Sequence, residues 1–254
     1  MDDKRKGIYI LPNLFTTGAL FAGVYAIVQA MKGHFYHAPI AIFIAMVMDG
    51  LDGRVARWTH TESDFGAQYD SLSDMVSFGL APALIVYERA LAGFGKLGWL
   101  AAFIYSAAAA LRLARFNTQA VSDRRQSFQG LPSPAAAAVV VGLVWVMQGN
   151  GTPHMWLRTL TLILTVLVGA AMVSNVRYQS FKHIDLKGRV PFIAVLAMVL
   201  IFVLISLDPP WVLFALFLAY ALSGPLHSLI RHYRRGFAHS RRTDEDSEHP
   251  AEHP

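Results

Sequence analysis

The stretch Asp49-Gly-Leu-Asp52-Gly53-Arg-Val-Ala56-Arg57 is followed by Gly66, Asp70 and Asp74. In a helix, at about 100° per residue, Asp49, Asp52, Gly53 and Ala56 share one face. Arg57 lies at the edge of that face. Gly66, Asp70 and Asp74 recur every four residues and form a second stripe. A short connection makes two such helices antiparallel neighbours. Four carboxylates then converge between them, near one end.

That gathering needs a cause. An exposed acidic pair on a helix is ordinarily a solvated face. These four acids sit at the ends of apolar runs instead. A carboxylate costs about 2.5–3.5 kcal/mol at the centre of a membrane helix and less near its ends. Crowded like charges also repel. Arg54 and Arg57 offset part of this, but their spacing does not let them reach every oxygen. Two divalent cations would balance four negative charges, and all-oxygen ligation suits Mg²⁺ or Mn²⁺. Mg²⁺ ordinarily shares its ligands with a substrate phosphate, so metals beside an arginine point to displacement at phosphorus. Gly53 and Ala56 present almost no side chain, so an extended ligand can approach the backbone closely. Taken alone, they would serve equally as a helix-packing face.

The elements that position these residues are read from composition. The chain has 254 residues, 54% hydrophobic and only 15% charged. Soluble domains are nearer a quarter charged, so a membrane class comes first. A spanning helix needs about 20 mostly apolar residues. Runs at roughly 9–31, 38–58, 70–90, 97–116, 133–149, 156–176, 190–207 and 210–230 meet that criterion. The fold expected is an all-α polytopic membrane bundle of about eight transmembrane helices, because strand alternation is absent and backbone groups in lipid must bond internally. The first run reads as a span rather than a cleaved signal. With no cysteine, any metal must be held by oxygen or imidazole.

Basic residues occupy alternate loops. Lys4, Arg5 and Lys6 precede the first span; Arg124 and Arg125 follow the fourth; Arg177, Lys182, Lys187 and Arg189 follow the sixth; Arg231, Arg234, Arg235, Arg241 and Arg242 follow the last. The positive-inside bias puts both termini, and the acidic cluster, on the cytoplasmic side. The net charge of +5 is therefore a matter of topology, not of nucleic acid. Residues 1–235 read as one membrane domain with its catalytic core at about 8–140. Residues 236–254 read as a disordered cytoplasmic tail, whose His249 and His253 could bind metal.

The acidic pattern resembles the signature of the CDP-alcohol phosphatidyltransferases: Asp, two residues, Asp-Gly, two residues, Ala-Arg, eight residues, Gly, three residues, Asp, three residues, Asp. Asp49, Asp52, Gly53, Ala56, Arg57, Gly66, Asp70 and Asp74 fill every position. The words Asp70-Ser-Leu-Ser-Asp-Met-Val-Ser-Phe-Gly79, Leu111-Arg-Leu-Ala-Arg-Phe-Asn117 and Phe128-Gln-Gly-Leu-Pro-Ser-Pro-Ala135 resemble the bacterial phosphatidylserine synthase branch. The resemblance implies transfer of a phosphatidyl group from CDP-diacylglycerol to L-serine in the bacterial inner membrane, by a homodimer. It implies that Asp49 and Asp70 bridge two metals, that Asp52 binds one and Asp74 the other, and that Asp74 is the general base. It also implies that Gly53, Arg57 and Ser63 contact the CDP moiety. Asn13 and Thr16, at the opening of the first span, would close over the nucleotide; a plain helix start is the competing reading.

Arg112 and Arg115 share a face at the same end of span four. Either can receive a serine carboxylate or a lipid phosphate bidentately. Snorkelling anchors are the alternative. Asn117 and Ser133 are candidate polar neighbours for the acceptor. Glycerol 3-phosphate or inositol as acceptor, and a divalent-cation transporter, are the rival functions.

Overall fold

Asparagine 13 to threonine 17, the acidic stripes and Arg112 lie far apart in sequence, yet the helices bring them to one end of a bundle. The computed structural model describes residues 3–59, 61, 63–122, 130–147, 153–176, 178 and 192–248. Eight helical segments follow one another: α1 (Asp3–Met31), α2 (His37–Thr59), α3 (Asp64–Phe94), α4 (Lys96–Ser122), α5 (Ser133–Val146), α6 (Met155–Val173), α7 (Phe192–Leu207) and α8 (Pro209–Glu248). There is no strand among the described residues.

Among the described residues, five helices are long and apolar enough to cross a membrane: Pro12–Met31, Asp64–Phe94, Lys96–Thr118, Met155–Val173 and Pro209–Ser228. Ser133–Val146 is apolar but shorter. Helix α2 has the length, but Asp49, Asp52, Arg54 and Arg57 crowd its second half. Five spans by this criterion, against eight expected, reflect those charges and the shortness of α5 and of α7, which runs for 16 described residues. Helix α8 continues as far as Glu248, so helix enters the segment expected to be structureless. Arg124, Arg125, Arg177, Lys182, Lys187, Arg189, His249 and His253 lie outside the described residues.

Small residues let α1 and α2 pack closely. Ala19, Ala22, Ala26 and Ala30 of α1 and Ala38, Ala41 and Ala45 of α2 are buried in one core. Without an aqueous driving force between spans, such close contact is what holds membrane helices together. Helix α3 is stitched to α1 by two hydroxyls one turn apart. Ser73 donates to the Thr16 carbonyl at 3.1 Å and Ser77 to the Ala19 carbonyl at 3.0 Å. Gly23 permits this approach: a Cβ there would lie 2.8 Å from the Ser77 Cα. Ser73 and Asp74 are neighbours in sequence, so docking Ser73 on α1 turns Asp74 toward α2.

Directly after Asp74, α3 widens into a π-helical turn, Met75–Leu80. Pro82 explains the irregularity, since it cannot donate to the Phe78 carbonyl four residues earlier. The Tyr105 hydroxyl of α4 donates to that carbonyl at 3.0 Å instead. Wide turns of this kind recur beside functional sites.

At the far end of the bundle, two arginines close helix termini. Arg89 donates to the Met147 carbonyl at 2.7 Å and lies 5.2 Å above the Phe35 ring. Arg158 donates to the Ala90 carbonyl at 3.0 Å and lies 5.4 Å above the Phe94 ring. Trp99, Trp156 and Trp211 are exposed, as residues of an interfacial belt are.

Candidate active site

Three of the four aspartates meet where α2 faces α3. One oxygen each from Asp49, Asp70 and Asp74 lies within 4.8 Å of the others. Oδ1 of Asp70 is buried and has no hydrogen-bond partner in the protein. A buried carboxylate oxygen without a partner is costly, and native structures rarely leave one. A hard divalent cation would satisfy it, and an all-carboxylate donor set suits Mg²⁺ or Mn²⁺. The residues present therefore fit such a group.

Asp52 stands beside the triad, and among the described residues the close cluster has three members. Asp52 is 6% exposed, and its Oδ2 accepts the Thr16 hydroxyl at 2.8 Å. Thr16 is also 3.2 Å from the Pro12 carbonyl, but a carboxylate is the stronger acceptor. This bond ties α1 to the acidic end of α2.

Two clefts open on the acids. The first holds about 410 Å³ between the start of α1, the end of α2 and the start of α3. Asn13, Thr16, Gly53, Ala56, Arg57 and Ser63 all line it. A Cβ on Gly53 would meet nothing within 4 Å, so the small residue faces open cleft rather than a packed helix. That favours the ligand reading of Gly53 over the packing one. Ser63 is the N-cap of α3: its hydroxyl accepts the Gly66 N–H at 3.0 Å. A Cβ at Gly66 would crowd that hydroxyl at 3.1 Å, which accounts for glycine there. Thr61, buried at the α2–α3 turn, also lines this cleft and carried no signal in the sequence.

The second cleft, about 540 Å³, is bounded by Asp49, Asp74 and Arg112. Asp52, Gly53, Arg57 and Asp70 line both clefts, so the two open on one set of acids from two sides. Nη1 of Arg112 donates to the Ser133 hydroxyl at 2.7 Å, while its Nε is buried without a partner. Arg115 does not line the cleft; it donates to Asn175 at 2.9 Å, beyond the end of α6. Of the two arginines on one helix face, Arg112 is thus the one at the site. Asn117 pairs with Ser71 at 3.0 Å, which also lines the cleft.

Ser133 is placed by its approach segment. Gly130 has φ +85°, and a Cβ there would lie 2.1 Å from the Met172 carbonyl oxygen. Only glycine fits that contact without strain. The Gly130 and Leu131 N–H groups donate to the carbonyls of Val176 and Ala171 at 2.9 and 3.0 Å. The chain is pinned to the end of α6 and enters α5 with Ser133 beside Arg112.

The class these features define is an all-helical membrane protein with an acid-lined double cleft at one end of its bundle. The family model for CDP-alcohol phosphatidyltransferase matches residues 9–171, and the chain belongs to that family of enzymes. It is 38% identical over 202 residues to the CDP-diacylglycerol–serine O-phosphatidyltransferase of Helicobacter pylori, covering 77% of this chain and 83% of the relative. It is 31% identical over 172 residues to the Bacillus subtilis protein of the same name, covering 68% of this chain and 91% of the relative. The fold is similar to the crystal structure of Mycobacterium tuberculosis phosphatidylinositol phosphate synthase with CDP-DAG bound. The TM-score is 0.50 at 18% identity, over 65% of this chain and 80% of that one.

Proposed function

We propose that this enzyme transfers the phosphatidyl group of CDP-diacylglycerol to the hydroxyl of L-serine, releasing CMP and forming phosphatidylserine. The observation that carries the reading is the pair of clefts meeting at shared acids. Two substrates can then approach one phosphorus from different sides, which direct transfer requires. The names of the similar proteins support serine as acceptor.

The first cleft suits the nucleotide. Gly53 and Ala56 leave room along α2, and Arg57 offsets the charge that gathers on the departing CMP. Asn13 and Thr16 cover it from α1. The acyl chains stay in the bilayer. The second cleft suits the acceptor: the fork of Arg112 pairs with the serine carboxylate, and Ser133 fixes that fork. Asp74 takes the proton of the serine hydroxyl. The serine oxygen bonds to the phosphorus of the diacylglycerol phosphate, and the bond from that phosphorus to the CMP oxygen breaks. Asp49, Asp52, Asp70 and Asp74 would hold two divalent cations, Mg²⁺ or Mn²⁺, which supply charge neutralisation at the pyrophosphate.

The basic loops of the sequence support an acidic end at the cytoplasmic face of a bacterial inner membrane, with both termini inside and eight spans. Residues 1–235 form the membrane domain of a homodimer. The test of the acceptor is CMP release from CDP-diacylglycerol with serine, glycerol 3-phosphate or inositol in turn. Serine-dependent release is expected; release with a different alcohol alone would reassign the acceptor.

A further inference from the structure

Helix α8 lies beyond the residues that the family model matches, yet it reaches the second cleft through Tyr220. The helix is docked there by three contacts on one face. A Cβ on Gly142 of α5 would lie 3.3 Å from the Phe214 Cα, so the two helices touch almost backbone to backbone. The Phe217 ring packs 6.1 Å from that of Phe43 on α2. Tyr178 packs across Gly224, where a Cβ would fall 2.5 Å from its ring, and donates its hydroxyl to the Ala221 carbonyl at 3.1 Å. Positions 214, 217, 220, 221 and 224 share one helix face. The Tyr178 ring stands 5.7 Å from that of Tyr220. Tyr220 is thus held from behind by a buried tyrosine and presented to the cleft in front.

Arg54, Arg57 and Arg112 all line the cleft it faces, and Arg112 is held by a hydrogen bond to another lining residue. Nη1 of Arg112 is spent on Ser133, and its buried Nε is without a protein partner. A buried guanidinium N–H of this kind fits an anionic oxygen of a ligand. A phenol hydroxyl on the same wall adds a neutral donor, which strengthens binding of an anion without adding charge beside the acids.

We propose that Tyr220 is a specificity residue for the acceptor: its hydroxyl joins Arg112 in binding the carboxylate of an amino-acid alcohol. This rests on the reading of serine as acceptor. It gives α8 a chemical role, and it sets apart acceptors that lack a carboxylate, such as ethanolamine.

The experiment compares wild type with Tyr220→Phe in detergent-purified full-length protein, measuring CMP release against serine and against ethanolamine. Loss of a hydrogen bond to a charged group is expected to raise the serine KM about tenfold. The KM for CDP-diacylglycerol and kcat should move far less, and the preference for serine over ethanolamine should fall by a similar factor. A serine KM within about twofold of wild type in Tyr220→Phe overturns the proposal and leaves serine as acceptor intact, since twofold is well below the cost of such a bond. Wild-type protein indifferent to serine overturns both, and shows that the functional reading failed first. A second measurement does not depend on turnover. The chain has no cysteine, so Tyr220→Cys provides a single thiol. With CMP and divalent metal present, saturating serine should slow its alkylation by a maleimide severalfold, and ethanolamine should not. Equal alkylation rates with and without serine would also overturn the proposal.

Discussion

The two ends of the bundle handle buried polar groups in opposite ways. At one end, Arg89 and Arg158 each reach a helix carbonyl and lie over a phenylalanine ring. At the other, Asp49, Asp70 and Asp74 crowd together, and an oxygen of Asp70 has no protein partner. The first arrangement joins helix ends across the bundle and stabilises the fold. The second gathers like charge that bound cations would offset. The same helices carry both: α3 holds Asp70 and Asp74 near its start and Arg89 near its end. Polarity in a membrane bundle therefore does not by itself mark function. What marks it is like charge gathered in one place.

Changes at the two ends should separate activity from stability. The largest effect is expected for Asp74→Asn, which removes the base: CMP release should fall by about 10²–10⁴. Its melting temperature, measured in detergent, should not fall, because a crowded negative charge has gone. Unfolding of this variant would move the acids to the structural side of the comparison. Arg158→Ala should do the reverse. It should cost about 1.5–3 kcal/mol of stability, the worth of a charged hydrogen bond, with CMP release per folded molecule within about twofold. Thr16→Val, also at the acidic end, should have a smaller effect on activity than loss of the base. It strips the hydroxyl from Asp52 and should lower kcat/KM about tenfold, the kinetic value of one charge-assisted bond. The smallest change is expected for Tyr105→Phe. It leaves the Phe78 carbonyl unanswered and should cost about 1 kcal/mol, with activity kept.

The sequence shows the acids and the small residues between them because helical spacing alone puts them on facing stripes. The long apolar runs are legible for the same reason. What depends on the docking of distant helices is not. The pairing of Asp52 with Thr16 needs α1 laid against α2, and nothing in either segment announces it. Arg112 and Arg115 look alike on one helix face; only the approach of Gly130 to α6 puts Ser133 beside the former. Tyr220 is one tyrosine in an apolar run, and its place at the cleft depends on Gly142 and Gly224 letting α8 come close. The eight-span expectation met a bundle in which, among the described residues, α2 is too charged and α5 and α7 are too short to pass on length and composition.

The central claim is that the acids of α2 and α3 work through bound cations. Its most direct measurement is CMP release by purified protein given CDP-diacylglycerol and serine, before EDTA treatment, after it, and after Mg²⁺ or Mn²⁺ is restored. Release should vanish on stripping and return with metal. A full rate in metal-free protein would contradict the account.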